Sequence, residues 1–135
     1  MKGGYIIFAD DDADDLELIT GFFKQYNQEV NVMEFRDGWD VMKFLEDVAI
    51  HNSQPLLMVL DINMPRLNGR ETLMAIRNHP RYRHVPVVMY TTSSGAAEEE
   101  FCQLQGASLV TKPSTVEGVK QTAKVLAEFC QLQHH

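Results

Sequence analysis

A run of five apolar residues, residues 56–60, leads directly into a single carboxylate at Asp61. A short apolar run bounded by turn-forming residues is typical of a strand that is buried on both faces. Pro65 and Gly69 follow and keep the strand from continuing. In open sheets with helices on both sides, ligands bind beyond the carboxyl ends of the strands. Asp61 therefore occupies a position where a ligand site is expected, although a lone acid there could equally end a strand or cap a helix.

The change from an apolar run to a helical pattern occurs five times along the chain. Predicted strands cover residues 5–9, 30–35, 56–60, 85–90 and 107–110. Each is followed by apolar residues spaced by three or four, the spacing of an amphipathic helix. Alternating strands and helices predict a parallel sheet with helices on both faces, and right-handed crossovers limit the possible topologies. We therefore predict an α/β fold built on a five-stranded parallel sheet.

Composition limits the classes of function. The chain has 135 residues, which fits one domain, and we predict that residues 1–133 form it. A formal net charge of −7 argues against nucleic acid as a partner, because phosphates require a basic surface. No apolar segment approaches the length of a membrane span, and the only cysteines, Cys102 and Cys130, are too few for a disulfide framework. We expect a cytoplasmic protein with no membrane partner, and interpret His134 and His135 as the remnant of a purification tag.

The predicted strand ends carry polar side chains to one edge of the sheet. The first strand leads to Asp10 and Asp11, the third to Asp61, the fourth to Thr91 and the fifth to Lys112. Carboxylates that lie close together repel one another unless a cation sits among them, and an oxygen-only site with few carboxylates suits Mg²⁺. Lys112 adds a positive charge and Thr91 a hydroxyl donor, so the set suits a phosphoryl group. An aspartate can act as nucleophile towards phosphorus, with the metal and the lysine neutralising charge on the moving oxygens.

These residues, in this order and at this spacing, resemble those of the response-regulator receiver family. The resemblance extends from Tyr5 to the last helix. Its motifs are Asp10-Asp11, Asp61 with Asn63-Met64-Pro65 and Gly69, Thr91, and Lys112-Pro113. It implies a flavodoxin-like (βα)5 fold with helices on both faces and the strand order 2-1-3-4-5.

The resemblance also implies a role for each motif. Asp61 would be the phosphoacceptor, and Thr91 and Lys112 would hold the phosphoryl oxygens. The implied ligands of Mg²⁺ are Asp10 (through water), Asp11, Asp61 and the main-chain carbonyl of Asn63. The peptide bond between Lys112 and Pro113 would be cis, which aims the lysine into the site.

Two finer features concern the subgroup and the switch. Residues 64–71, 85–88 and 91–93 are most similar to the single-domain regulators that partner bacterial phytochrome-type kinases. Receivers usually carry an aromatic residue three positions before the lysine, but this chain has Leu109 there. We therefore expect Leu109 to be a passive core residue. The response to phosphorylation is expected in residues 91–105 and the facing side of the last helix.

Two helix starts carry capping signals. Asp12 precedes the first helix and is a favoured N-cap residue. Ser114 and Glu117 match a capping box before the last helix.

The resemblance implies a signalling protein rather than an enzyme. It would accept phosphate from a sensor histidine kinase or a histidine phosphotransfer protein and then bind an unidentified protein target. We expect a stand-alone receiver, because no DNA-binding or catalytic segment follows the last predicted helix. One alternative is a docking module that works without phosphorylation and keeps its acids as solvated charge. The other is an aspartate-nucleophile phosphatase, although Asn63 stands where that class needs a second Asp.

Overall fold

The structure, a computed structural model, describes residues 3–48 and 53–133. Its strands are β1 (Tyr5–Ala9), β2 (Asn31–Phe35), β3 (Leu57–Leu60), β4 (Val87–Thr91) and β5 (Ser108–Thr111). Its helices are α1 (Ala13–Tyr26), α2 (Gly38–Val48), α3 (Gly69–Arg77), α4 (Ala96–Leu104) and α5 (Val116–Gln133). None of the helices in these two ranges is both long and apolar enough to span a bilayer. The interpretation of His134 and His135 as a tag remnant falls outside the described residues.

The strands form one parallel sheet in the order β2-β1-β3-β4-β5, which confirms the predicted flavodoxin-like topology. The central strands β1 and β3 are buried along their whole length, as their apolar runs predict. The edge strands β2 and β5 contain only exposed and half-buried residues. The hydrophobic pattern of each strand therefore matches its place in the sheet.

Two apolar clusters cover the two faces of the sheet. One joins β1, β3 and β4 to α2, α3 and α4, with Leu45, Leu73 and Ile76 among its fully buried residues. The other packs α1 and α5 on the opposite face and contains Phe23 and Ala123. Cys102 lies in the first cluster and Cys130 in the second, both as free thiols.

Strand β4 begins two residues later than the sequence predicts. The amide of Val85 donates to the carbonyl of Tyr82 in the preceding turn, so it is not available to the sheet. Pro86 has no amide hydrogen, and only its carbonyl joins the ladder, by accepting from Met58. Regular pairing therefore starts at Val87 and extends through Thr91.

The helix starts confirm one predicted cap and correct another. The Asp12 carboxylate accepts hydrogen bonds from the amides of Asp14 and Asp15, as predicted for the start of α1. The predicted box at Ser114 is wrong, because the Thr115 hydroxyl accepts from the Gly118 amide and α5 begins one residue later than that box requires. A reciprocal capping box does exist at α3, between Asn68 and Glu71.

Gly69 brings the start of α3 against the end of β3. Its amide donates to the carbonyl of Ile62 at 2.8 Å. A Cβ atom at this position would lie 2.2 Å from the main-chain oxygen of Asp61 and 2.8 Å from Cε of Met89. The absence of a side chain therefore lets the helix approach the strand end that carries Asp61.

We expect Gly69→Ala to lower the free energy of unfolding by about 1–3 kcal/mol, the usual cost of overpacking a close contact. Gly21→Ala is the matched control, because it lies in α1 with no atom within 4 Å of the added Cβ. That change should instead raise the free energy of unfolding by about 0.5–1 kcal/mol. Urea denaturation measures both values, and an equal effect of the two substitutions would contradict the steric argument.

Candidate acidic phosphoacceptor site

Two carboxylates are placed side by side by the pairing of the central strands. Ala9 of β1 is in register with Leu60 of β3, so Asp10 and Asp61 follow their strands at the same edge. They are only 3% and 6% exposed. Asp11, which is exposed, completes a group in which one oxygen of each of the three acids lies within 4.8 Å of the others. The structure thus brings together the three acids singled out in the sequence.

Lys112 reaches this group from the end of β5. Its Nζ lies 2.7 Å from Asp10 Oδ2 and 3.2 Å from Asp61 Oδ2. It also lies 2.8 Å from Oδ2 of Asp15, on the first turn of α1. The contact with Asp10 is an ion pair without hydrogen-bond geometry, whereas the other two are hydrogen bonds. The ammonium group is therefore held by three carboxylates, and its side chain is only 8% exposed.

The pKa values follow from burial and from these contacts. Burial raises the pKa of Asp10 to about 6, although Lys112 and the amide of Asp12 oppose the rise. Burial alone would lower the pKa of Lys112, but its contacts with Asp10 and Asp15 outweigh that effect and hold the pKa above its ordinary value. Lys112 therefore stays protonated, but its single positive charge does not balance the charge of the three carboxylates around it.

A buried oxygen of Asp61 has no partner. Oδ1 is inaccessible to solvent and makes no hydrogen bond among the described residues, whereas Oδ2 contacts Lys112. A buried acceptor left unsatisfied costs free energy, and a carboxylate oxygen is a preferred ligand of hard divalent cations. Oxygen donors from Asp10, Asp11 and Asp61 thus fit a cation of the Mg²⁺ type.

The loop after Asp61 is fixed by an arginine that the sequence did not single out. Arg66 adopts a left-handed backbone conformation with φ 62°. Its guanidinium contacts Asp37 at 2.7 Å and Asp40 at 2.9 Å, which ties the loop to the start of α2. Trp39 lies between these two acids in the sequence and is 57% exposed. The favourable ion pairs hold a backbone conformation that non-glycine residues seldom adopt.

The Thr91 hydroxyl makes no hydrogen bond to the three acids among the described residues. It accepts from the Ser93 amide at 3.1 Å. Asn63 lies on the other side of Ser93 and donates from Nδ2 to the Ser93 hydroxyl at 2.9 Å. The loops after β3 and β4 are therefore linked through Ser93, and the buried hydroxyl of Thr91 belongs to this link.

The predicted cis bond between Lys112 and Pro113 is wrong, because no cis peptide occurs in the described ranges. Trans is the lower-energy form, and from it Lys112 already reaches Asp10 and Asp61.

A profile of the response regulator receiver domain matches residues 6–124. This chain belongs to the response regulator receiver family. Response regulator Rcp1 of Synechocystis sp. is 32% identical over 90 residues, which cover 65% of this chain and 61% of Rcp1, so the alignment spans less than two thirds of that relative.

Two solved structures extend the similarity over nearly the whole receiver domain. The phosphorylated cyanobacterial phytochrome response regulator RcpA superimposes with a TM-score of 0.86 at 27% identity, covering 95% of this chain and 94% of RcpA. The Mn²⁺-bound form of Rcp1 superimposes with a TM-score of 0.83 at 26% identity, covering 93% of each chain. The fold and the family predicted from the sequence are thereby confirmed.

Leu109 belongs to β5 and lies beside α4. It is half-buried and lines a cleft of about 360 Å³ together with Cys102, Glu99 and Ser108. A second cavity, of about 400 Å³, lies at the opposite end of the sheet around residues 25–30, and its lining residues include none of the site acids.

Arg70 of α3 contacts α4 through both its charge and its flat face. Arg70 donates to Glu98 at 2.8 Å, and its guanidinium carbon lies 4.8 Å from the centre of the Phe101 ring. Both partners of Arg70 belong to the segment 91–105, where the sequence predicts the response to phosphorylation.

Removing the lysine should leave two buried carboxylates without a cation. We expect Lys112→Ala to lower the free energy of unfolding of the metal-free domain by about 3–5 kcal/mol at pH 8, the usual cost of breaking a buried ion pair. At pH 5 the loss should be smaller, because Asp10, whose pKa is raised to about 6, takes up a proton. Lys124→Ala, at an exposed position of α5, should change stability by less than about 0.5 kcal/mol. Chemical denaturation at both pH values measures this, and a pH-independent loss would contradict it.

Proposed function

We propose that this receiver domain accepts a phosphoryl group on Asp61 and signals through phosphorylation-dependent protein–protein interaction. One observation carries the proposal. Asp61 is a buried carboxylate whose Oδ1 has no hydrogen-bond partner, while its Oδ2 contacts Lys112 and two further acids lie beside it. A nucleophile with one free oxygen and a fixed cation nearby suits attack on phosphorus.

We propose Mg²⁺ as the cofactor, held by Asp10, Asp11, Asp61 and the main-chain carbonyl of Asn63. In support, the oxygens of the three acids cluster, and the similar protein Rcp1 has been crystallised with Mn²⁺ bound. When bound, the metal neutralises negative charge on the phosphoryl oxygens and on the acids. Mg²⁺ keeps several waters and binds through one or two carboxylates together with phosphate, which suits a site open on one side.

In the proposed transfer an oxygen of Asp61 forms a bond to phosphorus while the bond from phosphorus to the donor nitrogen breaks. The bonding electrons return to the donor imidazole. Lys112 compensates the charge that collects on the phosphoryl oxygens. The Thr91 hydroxyl would exchange its hydrogen bond from the Ser93 amide for a role as donor to a phosphoryl oxygen, which moves the loop after β4.

The donor in this proposal is a sensor histidine kinase or a histidine phosphotransfer protein, and the output is binding to a protein target. Similarity to the phytochrome response regulator RcpA makes a phytochrome-type kinase the first to test. The net charge of −7 disfavours nucleic acid as a target. Two buried free thiols on opposite faces of the sheet fit a cytoplasmic protein.

The burial of the acids weighs against the docking-module alternative. Solvated acids would lie in water, whereas Asp10 and Asp61 are only 3% and 6% exposed, and burying carboxylates whose oxygens lack hydrogen-bond partners costs free energy. The phosphatase alternative lacks its second acid, because Asn63 stands in that place and is hydrogen-bonded to Ser93.

We expect acetyl phosphate to phosphorylate Asp61 only when a divalent cation is present. Intact-mass measurement after trapping should show one added phosphoryl group in wild type and none in Asp61→Asn, which keeps the shape but removes the nucleophile. A persisting adduct in the Asn variant would place the acceptor elsewhere.

Millimolar Mg²⁺ should raise the melting temperature of wild type, because a ligand that binds only the folded state stabilises it with increasing concentration. Asp11→Asn removes a proposed ligand without disturbing the Lys112 contacts, so its melting temperature should rise much less. The exposed Asp14→Asn, which removes the same charge, is the control and should behave like wild type. Equal rises in all three proteins would show that the metal binds elsewhere.

A further inference from the structure

Asp15 contacts the lysine of the acid site although no motif includes it. Its Oδ2 lies 2.8 Å from Lys112 Nζ, closer than the 3.2 Å from that nitrogen to Asp61 Oδ2. Asp15 is 43% exposed, so it forms the solvent side of the ammonium group, whereas Asp10 and Asp61 form the buried side.

The local fold explains how Asp15 reaches the sheet edge. Helix α1 begins at Ala13, and the Asp12 carboxylate accepts a hydrogen bond from the Asp15 amide at 3.1 Å. Side chains of a helix tilt towards its N-terminus, so a residue in the first turn points back to the end of the preceding strand. Asp15 is thereby directed towards Lys112, which follows the edge strand β5.

We propose that Asp15 is a positioning residue for Lys112 in phosphoryl transfer, an inference that rests on the proposed function. An ammonium group has three N–H donors, and here three carboxylates surround it. Asp10 and Asp61 are the acids that the metal and the phosphoryl group would engage. Asp15 is the one partner that stays with the lysine throughout. It keeps Nζ from closing on Asp61 before transfer and keeps it in place for the phosphoryl oxygens afterwards.

Contact and charge predict opposite effects of removing Asp15. If the carboxylate acts only through its charge, its removal reduces repulsion of an anionic phosphodonor and accelerates phosphorylation. If it positions Lys112, its removal lets the ammonium group pair more tightly with Asp61 and slows phosphorylation. The direction of the change therefore distinguishes the two.

The matched pair for this test is Asp15→Asn and Asp14→Asn. Each removes one negative charge from the first turn of α1, but Asp14 is exposed and makes no side-chain contact with Lys112. With acetyl phosphate and saturating Mg²⁺, Asp15→Asn should slow phosphorylation about five- to tenfold, which corresponds to about 1–1.4 kcal/mol. Asp14→Asn should leave the rate unchanged or slightly raise it. In a Lys112→Ala background, the slowing caused by Asp15→Asn should disappear.

A second measurement is independent of phosphorylation. The ammonium group of Lys112 should give its own signal in ¹H–¹⁵N NMR spectra, because three carboxylates slow its exchange with water. That signal should be lost in Asp15→Asn and kept in Asp14→Asn. If wild type is phosphorylated but both Asn variants react alike and keep the signal, the positioning role is overturned while the phosphoacceptor function stands. If wild type takes up no phosphate, the proposed function itself fails, whatever the lysine signal does.

Discussion

The parallel pairing of β1 with β3 sets a constraint that the rest of this domain must meet. It places Asp10 next to Asp61 at the end of two fully buried strands, where little water can screen their charges. Register in a sheet cannot slip by one residue without turning every side chain to the other face, so the two acids cannot move apart. Their repulsion is therefore built into the same hydrogen bonds that form the sheet.

Several features of the chain respond to this repulsion. Lys112 crosses from the edge strand to supply a positive charge, and Asp15 holds it from the solvent side. On the opposite side of the site, Gly69 allows α3 to approach the strand end, and Arg66 fastens the intervening loop to α2. Even with these contacts, Oδ1 of Asp61 has no hydrogen-bond partner among the described residues. The site thus keeps unfavourable free energy that a bound cation can relieve, at the expense of stability when none is bound.

The apolar pattern of the sequence predicts the fold and the acid group. It does not predict the finer contacts, because those depend on how the elements pack against one another. Runs of apolar residues fix which strands are central, and parallel strands must deliver their ends to one edge, so the meeting of Asp10 with Asp61 requires no knowledge of side-chain conformation. The contact between Asp15 and Lys112 depends on the rotation of α1 about its axis. In the same way, α5 begins one residue later than predicted, so Thr115 caps it in place of Ser114. The left-handed backbone of Arg66 is stabilised by Asp37 and Asp40, which lie far from it in the sequence. Such contacts depend on tertiary packing rather than on local pattern.

The bridge from Arg66 to Asp37 and Asp40 also gives the molecule an optical property. Trp39 is the only tryptophan of the chain, is exposed, and lies in the sequence between the two acids that hold the loop. Indole emission responds to nearby charge and to water. A movement of the loop that separates the guanidinium from Asp37 and Asp40 would remove a positive charge from the two acids nearest to Trp39 in the sequence. We therefore expect intrinsic fluorescence, which in this chain comes from one tryptophan, to report on the loop beside Asp61 without any label.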